Sequence, residues 1–215
     1  MKIGIINAGF SNITSVQNAL NEIDIDSELI NSNNPSYDLI IMPGIGNFGY
    51  AMESMRNSFL FEMISSHNKN QKPIIGICLG MQLLFESSEE SPSTEGFGFL
   101  NGYFEKLPIP NKENFIGRKP PNIGYNHVNF QNNTDLKSLN DLCNSNGYYY
   151  FLHSYALKNS ERPYQVSSSS TFNGEKFTPF LIQDNICGIQ FHPERSGNNG
   201  LNLLSQIINY FEEKV

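Results

Sequence analysis

The chain has 215 residues, with 14 Lys and Arg against 21 Asp and Glu, a net charge of −7 and a pI near 5.1. An acidic chain with no basic cluster argues against nucleic-acid binding. No apolar stretch approaches the length of a membrane span, and the apolar start, Met1-Lys2-Ile3-Gly4-Ile5-Ile6, is too short for a signal peptide.

Three cysteines, Cys78, Cys143 and Cys187, stand at no metal-ligand spacing. Their odd number and scatter argue for a reducing, cytoplasmic compartment and against a disulfide framework. The length suits a single α/β domain over 1–215. A domain of that size buries roughly 70% of the surface its unfolded chain exposes, so it needs no metal or disulfide to fold.

In chain order, residues 2–6 read as a first strand. Asn12 stands where it would cap a helix over Ile13–Leu20, with Val16, Ala19 and Leu20 on one face. Asp38-Leu39-Ile40-Ile41-Met42 is continuously apolar, as in a strand covered on both faces, and ends in Pro43-Gly44-Ile45-Gly46. A helical stretch around Tyr50–His67 follows, then a strand over Pro73–Ile77. Alternation of strand and helix predicts a mostly parallel, flavodoxin-like sheet flanked by helices.

After Glu90 short apolar pieces alternate with turn signals, including Asn101-Gly102 and Pro120-Pro121, which predicts an antiparallel β extension. Tyr148–Leu152 is aromatic and strand-like. Tyr164–Phe172, Asn173-Gly174 and Lys176–Gln183 read as a hairpin with a type I′ turn. A last strand runs over Ile186–His192, and Leu201–Phe211 reads as a closing helix.

Three short stretches carry chemistry. Gly76-Ile77-Cys78-Leu79-Gly80 has the form G-x-C-x-G after a strand. It matches a nucleophile elbow, where a sharp strand-to-helix turn lifts one side chain above the sheet. Gln190-Phe191-His192-Pro193-Glu194 ends the last strand. Side chains two apart on an extended chain share a face, so a carboxylate at 194 would fix the tautomer of His192 and leave its other nitrogen as a base. His67, His127 and His153 have no such neighbour. Met42-Pro43-Gly44-Ile45-Gly46 is a second Gly-rich turn after a buried strand, whose N–H groups would receive developing negative charge. The same turn begins Gly44-Ile45-Gly46-Asn47-Phe48-Gly49, a literal G-x-G-x-x-G, but on a later strand and without the acidic residue that the dinucleotide fingerprint requires about twenty positions on.

These residues carry a family resemblance. The chain resembles class I, triad-type glutamine amidotransferases, and among them the glutaminase subunits of imidazole glycerol phosphate synthases. The similar stretches run nearly end to end: MPGIGNFGYAM (42–52), KPIIGICLGMQLLFESSEE (72–90), GFGFLNG (96–102), PNIGYN (121–126), FLHSY (151–155) and GIQFHPERSG (188–197). The resemblance implies Cys78 as nucleophile, His192 as general base and acid, and Glu194 as the orienting carboxylate. It implies an oxyanion hole at Leu79 and Ile45, and contacts to L-glutamine from Gly44, Gly46, Gln82, Glu90, Ser154 and Tyr155. Tyr125 and Arg195 would face a synthase partner, a (β/α)₈ cyclase subunit forming a heterodimer. The thioester chemistry needs no metal or organic cofactor.

Two segments depart from the family pattern. The usual D-Y-G-M-G-N is Asn7-Ala8-Gly9-Phe10-Ser11-Asn12, and the usual P-H-x-G-W-N is Pro121-Asn122-Ile123-Gly124-Tyr125-Asn126. These departures leave open a paralogue that supplies ammonia for a surface-polysaccharide or flagellar sugar. A cysteine hydrolase shares the elbow, and the G-x-G-x-x-G match leaves a nucleotide-binding module as the reading from another class. Gln82, Glu90 and His153-Ser154-Tyr155 favour an amidotransferase over a cysteine hydrolase, because a small polar amino acid needs polar groups at both ends; nucleotide binding would favour the last reading.

Overall fold

The computed structural model describes residues 1–9, 12–32, 36–110, 117–134, 139, 142, 144–158 and 164–214. Phe10, Ser11 and Cys143 lie outside the described residues. The first half is β1 (Ile3–Ile6), α1 (Ile13–Glu22), β2 (Ser27–Ile30), β3 (Leu39–Gly44), α2 (Phe48–Arg56), α3 (Leu60–Lys69), β4 (Ile74–Cys78) and α4 (Leu79–Leu83). Strands β1, β3 and β4 are buried along their whole length, as their unbroken apolar runs require of strands covered on both faces.

The second half adds β5 (Ser87–Ser88), β6 (Tyr103–Lys106), β7 (Asn122–Asn132), β8 (Gly147–His153), β9 (Tyr155–Leu157), β10 (Val166–Phe172), β11 (Glu175–Phe177), β12 (Phe180–Gln183) and β13 (Ile186–Ile189). It ends in a 3₁₀ turn at Pro193–Arg195 and α5 (Gly197–Glu212). The main sheet runs β2-β1-β3-β4-β13-β12-β10-β7-β8, with β11 on β10. Its first five strands are parallel, in the order of a flavodoxin-like sheet. From β12 onward the pairing is antiparallel. The expected α/β sheet with an antiparallel extension is therefore the observed one. A second, small sheet, β5-β6-β9, stands beside it.

Two apolar cores flank the main sheet. Ile3, Ile5, Leu39, Ile41, Ile75 and Ile77 face one core with Val16 and Leu20 of α1 and Leu203, Ile207 and Phe211 of α5. Ile6, Ile40, Met42 and Ile74 face the other, with Met52 of α2, Ile64 of α3 and Leu83 of α4. The period-2 alternation of strand side chains divides residues of one strand between the two cores.

Four readings of the sequence are refined. The helical stretch 50–67 is two helices, because Asn57 closes α2, while the Ser58 hydroxyl donates to Met55 O at 2.9 Å and accepts from Leu60 N at 3.2 Å. The strand 176–183 is two strands, β11 and β12, separated at Thr178-Pro179, and proline has no N–H for a ladder. The hairpin turn itself is as expected, with positive φ at both Asn173 and Gly174. Asn12 occupies the position before α1 but makes no side-chain cap hydrogen bond. Edge strand β2 was not anticipated, since its half-exposed Ser-Glu-Leu-Ile shows no apolar alternation.

Candidate active site

Strand β4 ends at Cys78, and α4 begins at the next residue. Cys78 itself takes the positive φ of +55°, while Gly76 and Gly80 do not. A non-glycine side chain there costs of order 1–3 kcal/mol and persists only where the surroundings enforce it. The glycines serve close approach. A Cβ on Gly80 would stand 1.7 Å from Met42 O, and one on Gly76 would stand 2.7 Å from Gly80 O. The strain of the elbow thus sits on the cysteine, and the two glycines let β3, β4 and α4 press together around it.

Two partners flank the sulfur. Leu152 O lies 3.7 Å from Cys78 Sγ and accepts from the thiol. Gln190 Nε2 lies 3.8 Å away and donates to it. One partner suits the protonated sulfur and the other the thiolate.

His192 lies beside this sulfur and is almost fully buried. Its Nδ1 is 2.8 Å from Glu194 Oε1. The carboxylate reaches the ring through the 3₁₀ turn at Pro193–Arg195, not along a continued strand. Strand β13 stops at Ile189, because Gln190 N turns to Pro179 O and His192 N to Tyr150 O, both at 2.8 Å. Ser196 pins the turn: its hydroxyl donates to His192 O at 2.6 Å and accepts from Tyr150 N at 2.9 Å. Gly200 of α5 packs under it, where a Cβ would lie 1.9 Å from Pro193 O. The sequence reading did not single out Ser196 or Gly200, although both stand within a few residues of the His-Pro-Glu motif.

Burial alone would lower the pKa of His192. The negative charges of Cys78 and Glu194 outweigh it and raise the pKa from 6.5 to about 10. Among the described residues Nε2 has no partner within hydrogen-bonding geometry, so we attribute the pull of Cys78 to charge at short range, not to an oriented bond. Flanked by the sulfur and by the Glu194 carboxylate, the His192 ring holds its proton more tightly than a free imidazole does.

A cavity of about 200 Å³ opens in front of Cys78. It is small beside the ~300–1,000 Å³ of drug-sized sites, as suits one small metabolite. Of the residues singled out in the sequence, Ile45, Gly46, Cys78, Leu79, Gln82, Glu90, Ser154 and Tyr155 line it, joined by Pro121, Leu152 and His153. Gly44 lies beneath, paired across the sheet with Cys78 and packed on Gly80. His192 and Glu194 stand behind the sulfur and are not part of the cavity wall. Leu79 opens α4, so its N–H has no acceptor within the helix.

The small sheet delivers both ends of the cavity. Glu90 follows β5, held by Glu89 N to Phe104 O at 2.9 Å. Ser154 and Tyr155 lead into β9, held by Leu107 N to Ser154 O at 2.8 Å. Burial, then the nearby Glu90 and Glu89 carboxylates, raise the pKa of Tyr155, which keeps it a hydroxyl donor.

Helix α2 begins where the G-x-G-x-x-G ends, yet its N-terminus is already occupied. Phe48 N donates to Glu90 Oε2 at 2.7 Å, Gly49 N to the Ser91 hydroxyl at 3.1 Å and Tyr50 N to Asn47 Oδ1 at 3.0 Å. The donors that would hold a phosphate are spent on side chains. Among the described residues no group of three or more His, Cys, Asp or Glu is placed to hold a metal, and no helix is long and apolar enough to cross a membrane.

The profile of the family Glutamine amidotransferase class-I matches residues 4–208. The chain belongs to the class-I glutamine amidotransferases. This amidotransferase is 35% identical over 214 residues to the imidazole glycerol phosphate synthase subunit HisH of Thermotoga maritima, covering 97% of this chain and 96% of the relative. It is 38% identical over 213 residues to the HisH subunit of Sulfurimonas denitrificans, covering 97% and 98%. In fold it is similar to a crystal structure of a glutamine amidotransferase, with a TM-score of 0.73 at 12% identity over 99% of this chain and 100% of the other. It is also similar to a chain of PurLQS from Thermotoga maritima, with a TM-score of 0.64 at 20% identity over 97% and 98%.

On the outer side of the site, β7 and β8 pair with Tyr125 opposite Tyr150, Ile123 opposite Leu152 and His127 opposite Tyr148. All six side chains point away from the core side of the hairpin, which carries Tyr149 and Phe151. Tyr125 is 55% exposed and Tyr148 60%. The Tyr125 hydroxyl donates to Arg195 O at 2.9 Å, and the Arg195 guanidinium stacks 4.6 Å over the Tyr150 ring. The sequence reading found Tyr125 and Arg195 but not the rest of this aromatic face. Its signal was the alternation within Tyr148–Leu152 set against that of Ile123–His127.

Proposed function

We propose that the chain is the glutaminase subunit of an imidazole glycerol phosphate synthase, hydrolysing L-glutamine to glutamate and ammonia for a cyclase partner in histidine biosynthesis. The observation that carries the chemistry is Cys78 on its strained elbow, beside the His192–Glu194 pair, at the wall of a cavity lined by Gln82, Glu90, Ser154 and Tyr155. The near full-length similarity to HisH subunits carries the choice of pathway.

In this reading the Cys78 thiolate attacks the side-chain amide carbon of glutamine. The tetrahedral oxyanion is received by the N–H groups of Leu79 and Ile45, donors aimed where charge develops. The C–N bond breaks, and His192 gives its proton to the leaving nitrogen, releasing ammonia and a γ-glutamyl thioester. Water then adds to the thioester, His192 takes its proton, and the C–S bond breaks to release glutamate and restore the thiolate. Glu194 holds the ring and stabilises its positive charge. Glu90 and Gln82 accept from the α-ammonium, and Ser154 and Tyr155 hold the α-carboxylate.

The partner is a (β/α)₈ cyclase subunit, docked on the aromatic face of β7 and β8 with Arg195 at its centre, and the site is a cytoplasmic one. Asn122 replaces the family's usual histidine without emptying the position, since it is fully buried and hydrogen-bonded to His153. The near full-length similarity to HisH subunits favours the histidine pathway over a sugar-pathway paralogue. The test is growth of a histidine auxotroph lacking only this subunit, complemented with the chain and its own genomic cyclase partner. Growth supports the reading. Failure to grow, with glutamine hydrolysis still measurable in the complex, rejects the pathway. Hydrolysis by Cys78→Ala at the wild-type rate rejects the chemistry.

A further inference from the structure

Gln190 is fully buried beside the reacting sulfur, yet neither the elbow nor the His-Pro-Glu motif assigns it a role. Its Nε2 stands 3.8 Å from Cys78 Sγ, and its Oε1 accepts from Gln82 Nε2 at 3.2 Å. Gln82 in turn lines the cavity. Gln190, 112 residues beyond Cys78 and 108 beyond Gln82, thus bridges the two into one line from the nucleophile to the substrate space.

We propose that Gln190 is a positioning residue that ties the nucleophile to the choice of substrate. It holds the Cys78 thiolate by donating to it, and it fixes the Gln82 amide so that Gln82 offers only an acceptor to the cavity. The site therefore takes a substrate that carries a cation beside its reacting amide.

The argument follows from what each group is able to do. A thiolate only accepts hydrogen bonds, so the Gln190 amide must turn its NH₂ toward Sγ. Its oxygen then faces Gln82, and Gln82 must answer with its own NH₂. The remaining oxygen of Gln82 is left for the cavity, on the same wall as the Glu90 carboxylate. An isolated amide at 82 would flip to offer either end at little cost, and would greet a neutral or anionic group as readily as a cation. The buried partner at 190 removes that freedom, because a flipped Gln82 would set its oxygen against the Gln190 oxygen with no donor between them. Leaving such buried polar atoms unpaired costs their full desolvation penalty, enough to decide the orientation.

This inference rests on the glutaminase reading for its substrate but not for the thiol. The experiment uses the chain with its cyclase partner and two amides, L-glutamine and glutaramate, which is glutamine without its α-amino group. In parallel, the purified chain is alkylated with iodoacetamide at pH 7 and the modification at Cys78 is followed by mass. For Gln190→Leu we expect the preference for glutamine over glutaramate, as a ratio of kcat/KM, to fall about tenfold, the worth of one lost oriented hydrogen bond. Alkylation of Cys78 slows several-fold as the thiolate loses its donor. Gln190→Glu, when ionised, still accepts from Gln82 but offers no donor to the sulfur, so it should slow alkylation several-fold and leave the preference for glutamine within twofold of wild type; Gln190→Met, which holds the volume without the amide, moves both readouts should the leucine variant not fold. The proposal fails if either readout of a folded Gln190→Leu or Gln190→Met variant stays within twofold of wild type, or if Gln190→Glu leaves the alkylation rate within twofold. Failure of the glutaminase reading looks different: the wild-type complex then hydrolyses neither amide, while the alkylation comparison still reports on Gln190.

Discussion

Asn122 donates its side-chain amide to Nε2 of His153 at 3.0 Å, and Nδ1 of the same ring donates to Tyr155 O at 2.8 Å. Burial lowers the pKa of His153 to about 4, helped by the charge of His192. The ring is therefore neutral, and its two bonds fix one tautomer. Asn122 is held from behind: Asn126 Nδ2 donates to its Oδ1 at 2.7 Å, and Arg118 donates to Asn126 Oδ1 at 2.8 Å. This chain of side chains clamps the segment that brings Ser154 and Tyr155 to the cavity. Asn122→Ala should raise the KM for glutamine about five- to tenfold with a smaller change in kcat, because positioning is lost and the nucleophile is not. It should also cost about 1–3 kcal/mol of stability for the polar atoms left unpaired. Steady-state kinetics and urea unfolding of the variant check both numbers.

Glu194→Gln should reduce glutamine hydrolysis less than His192→Ala. The carboxylate acts through the ring, at 2.8 Å from Nδ1, whereas the ring itself carries the proton between sulfur, ammonia and water. We expect a fall in kcat of about 10²-fold for the first and at least 10³-fold for the second, within the range that loss of general acid–base catalysis spans. Rates in the partner complex decide it, and equal activity of His192→Ala and wild type would remove the ring from the mechanism.

The buried histidines predict an acid-side loss of stability. Burial lowers His67 to about 4, as it does His153, against 6.5 in the unfolded chain. Between pH 6.5 and about 4 the unfolded state binds protons that the folded state does not, so stability falls as pH falls through that window. From pH 7 to pH 5 each histidine should account for about 1–2 kcal/mol. His67 hydrogen-bonds Pro73 O at 3.1 Å and lies far from the cavity. His67→Leu should therefore shrink the difference between urea-unfolding free energies at pH 7 and pH 5 by its share, while leaving the acid-side response of His153. An unchanged difference would mean that His67 is not neutral in the fold.

The elbow and the His-Pro-Glu turn were legible in sequence because their chemistry is local: a strand end, a tight turn and residues within five positions. The parallel half of the sheet was legible for the same reason, since Leu39–Met42 and Ile74–Ile77 are apolar without a break, and covered strands read that way. What escaped the sequence depends on contacts made far along the chain. Gln190 meets Gln82 only because β13 inserts beside β4. Glu90 caps α2 only because β5 and β6 fold back over Phe48. The elbow glycines were legible, but not what they make room for, Met42 O and Gly80 O, nor that the left-handed residue is Cys78. Pattern reveals an element, but the distance between two elements is settled by packing.

The aromatic face predicts where a partner binds and how the binding fails. Tyr125, Tyr148 and Ile123 are each more than half exposed, an unusual cost for an isolated surface. Together with Arg195 they make the composition of an interface centre, aromatic rings around one guanidinium. Arg195 is paired with no carboxylate among the described residues; its guanidinium rests on the Tyr150 ring, leaving its donors free for an acidic group of the partner. Arg195→Glu should weaken association with the cyclase partner at least tenfold and weaken it less at high salt, since the introduced repulsion is screened. Tyr125→Ala should also weaken it about tenfold, but without that salt dependence, because buried ring area is lost instead of charge. Neither change touches the cavity wall, so alkylation of Cys78 by iodoacetamide in the free chain should stay within twofold of wild type. Calorimetric titration at two ionic strengths separates the two effects, and unchanged affinity of both variants would move the docking surface away from β7 and β8.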